Sequence, residues 1–262
     1  MRYLAVAALG GILFAACQSS ETTTQTAEPK KLTDSAQWVI DQAIARHGGE
    51  AYQDYSLEFD FRGRHYTVQE HADQYTYVRE WTTDTTGTMR DVLTNAGFIR
   101  REDGERVTLS AEDSAKYANS VNSVAYFVRL PQGLNDPAVF KRYAGQVAIK
   151  GDTYHKVRVT FSEEGGGTDH DDVFYYWVHT QHHTVDYLAY YYHTDGGGSR
   201  FREAINPREL SGMLILDYVN YTYTGDSVAV ADYDRAFDEG RVKELSRIIN
   251  ENAQVALGSD SP

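Results

Sequence analysis

Apolar and polar residues alternate with a period of two through most of this chain, and no other feature constrains the fold as strongly. Leu57, Phe59 and Phe61 alternate with Glu58, Asp60 and Arg62. Successive side chains of a strand point to opposite faces, so this pattern reads as a strand with one wet face. Similar runs recur at Tyr66 to Glu70, Gln74 to Trp81, Thr88 to Leu93, Phe98 to Arg101 and Arg106 to Leu109. Turn-forming clusters separate them, among them Asp84-Thr85-Thr86-Gly87, Asn95-Ala96-Gly97 and Glu102-Asp103-Gly104. Short strands joined by such turns form an antiparallel meander. Further strands are expected at about 144–150, 153–162, 172–179, 184–194, 199–206 and 211–223.

Three segments carry a helical period instead. Ala36, Val39, Ile40, Ala43 and Ile44 share one face of a helix near 34–47, with Thr33, Asp34 and Ser35 as capping types and Gly48-Gly49 as the stop. Ser110-Ala111-Glu112-Asp113 opens a second, with Val121, Val124, Ala125, Phe127 and Val128 as its stripe and Pro131 beyond its end. Asn135-Asp136-Pro137 can start a short helix, because Pro suits a first helical turn. Phe237, Val242, Leu245, Ile248 and Ile249 suggest a closing amphipathic helix over about 235–250. The economical fold is α+β: a long antiparallel sheet with helices gathered on one face. A sheet of that many strands has to curl. A half-open barrel is therefore expected, its concave face plugged by the helices at 34–47 and 119–130.

The N-terminus carries a different signal. Arg2 precedes an apolar stretch from Leu4 to Phe14, followed by Ala15-Ala16-Cys17, and Cys17 is the one cysteine of the chain. A spanning helix needs about 20 apolar residues, so this run is too short to be an anchor and fits a removable leader. Phe14-Ala15-Ala16-Cys17 resembles the bacterial lipobox, with Phe14 where Leu is usual. The resemblance implies a signal peptide over 1–16 and lipid attachment at Cys17, which would also remove an unpaired thiol from an oxidising compartment. An ordinary signal peptide leaving a free thiol is the alternative. Residues 17–31 have no apolar periodicity and read as a disordered tether, spanning about 20 Å as a flexible coil. Gln18, rather than Asp, follows the cysteine; by resemblance to the lipoprotein sorting rule, this favours the outer membrane, with either face open. Residues 32–262 then form a single domain.

The formal charge is −13, and loss of Arg2 with the leader makes it −14. No basic stripe is available to neutralise phosphates, so nucleic acid is not expected as a partner. A mean hydropathy of −0.54 with 41% apolar residues describes a packed core under a wet surface.

Several stretches resemble an uncharacterised family of Gram-negative envelope lipoproteins: Gly151 to Gly167, Asp172 to Tyr191 and Gly196 to Tyr221, together with Arg46-His47-Gly48-Gly49 and Phe59-Asp60-Phe61-Arg62-Gly63. The order of elements is similar to the LolA/LolB-like lipoprotein carrier and receptor half-barrel. That resemblance implies a fold and carries no activity.

The later strands are apolar on both faces. Val185, Tyr187, Ala189 and Tyr191 oppose Leu188, Tyr190 and Tyr192; Ile215, Val219, Tyr221 and Tyr223 oppose Leu214, Leu216 and Tyr218. Such a sheet is either covered on both faces or lines a cavity on one. The expectation is a lipid or other amphiphile held in a Tyr-rich cavity, with Tyr187, Tyr191, Tyr221, Arg200 and Arg202 as candidate ligand contacts; helices filling that space is the alternative. Arg62, Arg200, Arg202, Glu203 and Asp217 lie in otherwise apolar strands, where charge needs a partner. Arg202 or Arg200 is expected to pair with Asp217, as a buried network or as a polar anchor for a ligand head.

Other constellations point less far. His47 at a helix end is expected to satisfy last-turn carbonyls. His179, His182 and His183 form a turn and lack the converging ligands of a zinc site. Gly165-Gly166-Gly167 and Gly196-Gly197-Gly198, with Glu163, Glu164, Asp169, Asp171, Asp172 and Asp195 around them, offer oxygens to calcium but no EF-hand spacing, and the His170-Asp171 pair has no serine or cysteine nucleophile placed beside it by any motif. No G-x-S-x-G or HExxH motif is present. A non-catalytic binding protein without cofactor or metal is expected. A glycan-binding module stacking sugars on exposed Tyr and Trp, or a hydrolase whose site is scattered in sequence, stand as alternatives.

Overall fold

A computed structural model describes residues 32–72, 74–85, 87–164, 171–193 and 197–258. The leader, Cys17, the tether, the Gly165–Gly167 triplet, Asp169, His170, Asp195 and Gly196 lie outside the described residues.

Fourteen described strands form two antiparallel sheets of seven. The first contains β1 (Asp54–Phe61), β2 (Arg64–His71), β3 (Gln74–Thr83), β4 (Gly87–Thr94), β5 (Gly97–Glu102) and β6 (Glu105–Arg106), with β14 (Glu251–Leu257) added beside β1. The second runs β7 (Val139–Ile149), β8 (Asp152–Phe161), β9 (Val173–His179), β10 (Val185–Tyr192), β11 (Gly198–Leu210), β12 (Met213–Tyr223) and β13 (Val242–Ile248) in strict sequential neighbourhood. The helices are α1 (Leu32–His47), α2 (Ala111–Val128) and the short α3 (Tyr233–Asp238). None of the described helices is long and apolar enough to cross a membrane.

The meander follows from the alternation. At the β1–β2 hairpin, Phe61 pairs with Arg64. Arg62 and Gly63 are the two loop residues, both with positive φ (52° and 69°), the geometry that matches strand twist in a two-residue hairpin. β12 is buried at every position from Met213 to Asn220, because both of its faces are covered.

One long sheet was the sequence expectation; two shorter sheets are what forms. The break falls where β6 shrinks to two residues and α2 takes the chain away before β7. Open sheets rarely exceed about ten strands without splitting. The expected helix over 235–250 is also replaced. Only Tyr233–Asp238 is helical, and Gly240 (φ 68°) turns the chain into β13 and β14. The i, i+3 spacing of Val242, Leu245 and Ile248 imitates a helix, but β13 pairs with β12 and β14 with β1. This C-terminal ribbon joins the two sheets. The short helix expected from Asn135 lies earlier, as a single turn over Gln132–Asn135 that ends before Pro137.

Helix α1 packs Ala36, Val39, Ile40 and Ala43 against Val157, Tyr176, Val178, Leu188 and Leu216 of the second sheet. All four helix residues are essentially solvent-free; truncating Ile40 to Ala would cost about 2–5 kcal/mol. Helix α2 starts at a Ser110 cap whose hydroxyl accepts from the Asp113 N–H. Val121, Ala125 and Val128 bury against Leu57, Phe59, Val68 and Tyr77 of the first sheet, while Tyr126 and Phe127 reach the core of the second. The opposite face of the second sheet is covered by α3, where Tyr187, Phe201 and Tyr233 form a third cluster with Phe237 and Tyr221. Asp234 locks α3 down, accepting from Lys156 Nζ at 2.8 Å and Trp177 Nε1 at 3.1 Å.

Candidate functional site

A cavity of about 350 Å³ lies between α2 and the strands where the two sheets meet. Phe61 and Arg62 from the β1–β2 turn form one wall, Ser120, Ser123, Val124, Phe127 and Val128 of α2 the second, and Arg202, Tyr218, Asn220, Ile248 and Asn250 the third. The α2 residues are three and four apart and so share one helix face. The volume is at the lower end of the roughly 300–1,000 Å³ of small-molecule pockets, and the mixture of apolar walls with a few polar groups is typical of them.

Arg202 dominates the electrostatics. It is 8% exposed. Its guanidinium carbon sits 3.8 Å above the Phe127 ring, its Nη2 donates to Tyr190 Oη at 2.8 Å, and its Nε has no partner. Among the described residues no carboxylate lies within salt-bridge distance of it. Asn220 stands directly opposite on β12 and is equally buried. Its Nδ2 donates to Ser246 Oγ at 3.3 Å, leaving Oδ1 unpartnered. Burial raises the phenol pKa of Tyr218 well above its ordinary value and pushes that of Tyr126 up to about 12. Both phenols therefore stay neutral and cannot compensate the guanidinium.

An arginine pair borders this cavity. Arg79, Asp91 and Arg100 are neighbours in register across β3, β4 and β5. Both guanidiniums bind the one fully buried Asp91 carboxylate, with Arg79 Nη2 at 2.5 Å and Arg100 Nε at 2.7 Å. Arg79 Nη1 also donates to Ser120 Oγ, on the cavity wall, at 2.7 Å. Two cations on one anion leave a local positive excess in a chain of formal charge −13. Two other cavities, of about 350 and 450 Å³, have their principal charges engaged: Glu70 is held by Arg129 and Tyr77, and Arg100 by Asp91.

The residues singled out from the sequence do not come together. Strand parity separates them: Arg200 and Arg202 share one face of the second sheet, and Tyr187, Tyr191 and Tyr221 lie on the other. Tyr187 stacks on Phe201 at 5.5 Å and Tyr221 packs on Phe237 at 5.3 Å, so α3 fills the space where a Tyr-lined cavity was expected. Tyr191 is 40% exposed, edge-on to His193. Arg200 donates to the Ser199 carbonyl and lies over Tyr192.

The expected pairing of Arg202 or Arg200 with Asp217 does not form. Arg202 faces Asn220, three residues along β12 and on the opposite face from Asp217. A one-residue bulge between Ile205 and Arg208 returns Arg208 to the Asp217 face. Asp217 then accepts from Arg208 Nη2 at 2.8 Å, Arg208 Nη1 and Asn206 Nδ2 at 3.0 Å, and the Asn250 N–H at 2.9 Å.

His47 also departs from expectation. It is fully buried, and its Nε2 accepts the Val185 N–H at 3.0 Å instead of its ring serving the last-turn carbonyls. In the histidine turn, His179 Nδ1 accepts from the Gln181 and His182 N–H groups at 3.1 Å, a local cap. Among the described residues no group of three His, Cys, Asp or Glu is placed to hold a metal. The sequence reading missed Ser120, Ser123, Asn220 and Asn250. A lone Asn inside the apolar run of β12 was the available signal for Asn220.

The family model for a family of unknown function, DUF6503, matches residues 27–250. The chain belongs to that family. No curated protein matches the DUF6503 chain. Among solved structures it is similar to a LolA superfamily protein from Nitrosomonas europaea, at 10% identity and a TM-score of 0.46, over 87% of this chain and 94% of that one. A DUF1329 family protein from Desulfovibrio piger matches at 13% identity and a TM-score of 0.40, over 71% and 85%. The lipoprotein LppX from Mycobacterium tuberculosis matches at 10% identity and a TM-score of 0.27, over 75% and 98%. The expected resemblance to an uncharacterised family is met by a family of unknown function.

Proposed function

We propose that this chain is a lipid-anchored cell-envelope protein that binds an amphiphile without chemically transforming it. The ligand sits in the cavity between α2 and β11–β13, its polar head toward Arg202 and Asn220 and its apolar part along Phe61, Val124, Phe127, Val128 and Ile248. In this reading residues 32–262 are one half-open barrel domain with α1 and α2 on its concave side, tethered through an acylated Cys17 to the outer membrane.

One observation carries the proposal: a buried arginine without a counter-charge opens onto an apolar-walled cavity. An uncompensated buried charge is expensive in a resting fold, and a ligand that supplies the missing partner recovers that cost on binding. The positive excess from Arg79 and Arg100 around a single Asp91 adds to the same preference. The test is extraction of bound lipid from the full-length protein purified from its own envelope, read by mass spectrometry against a Val124→Trp variant whose cavity is filled. The proposal expects a defined amphiphile in the wild type that is absent from the variant. Equal lipid in both samples would contradict it.

A further inference from the structure

The cavity wall also specifies the chemistry of the head, an inference that rests on the amphiphile reading above. Arg202 and Asn220 face each other across β11 and β12, and each has one buried side-chain atom without a partner. Arg202 Nη2 is committed to Tyr190 and Asn220 Nδ2 to Ser246. The buried atoms without a partner are a charged N–H donor, Arg202 Nε, and a carbonyl acceptor, Asn220 Oδ1. Buried polar atoms are rarely left unmade, and two such orphans in register on one cavity wall are a paired demand.

The complement of that pair is a group that offers an anionic oxygen and a hydrogen-bond donor side by side. A plain carboxylate satisfies the arginine and leaves Asn220 empty. A phosphocholine head has no donor for Asn220. A phosphoethanolamine head has a donor, but its ammonium would sit against the guanidinium, and like charges in close contact are penalised. A neutral glyceride has the donor and lacks the charge. We infer that the ligand is a single-chain amphiphile with a phosphoglycerol-type head, a phosphodiester carrying a free hydroxyl: the phosphate accepts from Arg202 Nε and the hydroxyl donates to Asn220 Oδ1. The cavity volume of about 350 Å³ suits one such head with the first part of one chain, and not two full chains.

The test is displacement of a dansyl-labelled fatty acid from the full-length protein by unlabelled competitors below their micelle-forming concentrations. The competitors are lysophosphatidylglycerol, lysophosphatidylcholine, oleate, a monoacylglycerol and free glycerol phosphate. A charge-assisted hydrogen bond in a buried site is worth about tenfold or more in affinity. Lysophosphatidylglycerol should therefore compete at least about tenfold better than the monoacylglycerol, which lacks the charge, and about threefold or more better than lysophosphatidylcholine, which lacks the neutral hydroxyl bond. Arg202→Gln should abolish the preference over the monoacylglycerol, and Asn220→Leu should remove the advantage over lysophosphatidylcholine and oleate. Thermal melts report whether each variant folds; should Arg202→Gln not fold, the wild-type ranking and Asn220→Leu still decide. Equal competition by every single-chain amphiphile would overturn the head-group inference and leave the amphiphile reading standing. Oleate matching lysophosphatidylglycerol in the wild type would overturn the role given to Asn220. Failure of the dansyl probe and all amphiphiles to bind would overturn the amphiphile reading itself. Free glycerol phosphate competing as well as the lysolipid would keep the head chemistry and make its source a soluble phosphate.

Discussion

His47 makes the fold sensitive to acid in a way that can be measured. Its imidazole closes α1 in full burial, and Nε2 must stay unprotonated to accept the Val185 N–H that begins β10. Desolvation, with a smaller push from the adjacent Arg46 charge, lowers its pKa from the ordinary 6.5 to about 3. The unfolded chain binds a proton below pH 6.5, while the folded chain binds none until near pH 3. The contribution is therefore intact above the unfolded value and is lost as pH falls between 6.5 and 3. Each unit within that window costs about 1.4 kcal/mol, so lowering the pH from about 7.5 to about 5 removes about 2 kcal/mol through this one residue. The assay is urea unfolding followed by tryptophan fluorescence across that range, for wild type and His47→Gln. A Gln carbonyl keeps an acceptor for Val185 and does not titrate, so other acid-labile groups cancel in the comparison. The advantage of wild type over variant should shrink by about 2 kcal/mol on acidification. Two parallel pH profiles would refute the reasoning.

Other perturbations separate structure from binding. Asp217→Asn should lower stability by about 3 kcal/mol in urea unfolding, because its buried carboxylate accepts from Arg208, Asn206 and Asn250 and an amide presents a donor to one of them. Phe237→Ala should cost about 2 kcal/mol by loosening the α3 cluster, yet leave lipid recovery by mass spectrometry unchanged, since Tyr187 and Tyr221 are packing groups on the face away from the cavity. Cys17→Ser should move the protein from the membrane to the soluble fraction on cell fractionation.

The sequence revealed the strands because their side-chain period of two is local, and both α1 and α2 because their stripes are long. It did not reveal β13 and β14. Val242, Leu245 and Ile248 fall at a helical spacing, and only the pairing of β13 with β12, between residues about 20–30 apart, settles the matter. The division into two sheets was hidden for the same reason: β14 joins β1 across nearly the whole chain. For the site, Arg202 stood out as a charge within an apolar strand, and the structure places it on a cavity wall. Its expected partner Asp217 lies on the opposite face of β12 and is taken by Arg208, which the bulge between Ile205 and Arg208 brings to that face. Tyr187 and Tyr221 looked like a ligand wall because an apolar face reads the same whether a ligand or a helix covers it. Ser120 and Ser123 carried no signal in a helix of ordinary composition; they matter through what α2 faces.

Photoaffinity mapping addresses the central claim directly. A single-chain amphiphile carrying a diazirine near its head is bound to the full-length protein, irradiated, and the labelled peptides are located by mass spectrometry. The account predicts labels on α2 around Ser120 to Val128 and on the strands bearing Arg202, Tyr218 and Asn220, suppressed by Val124→Trp. Labels concentrated around Tyr187, Tyr221 and Phe237, or scattered without regard to Val124→Trp, would contradict it.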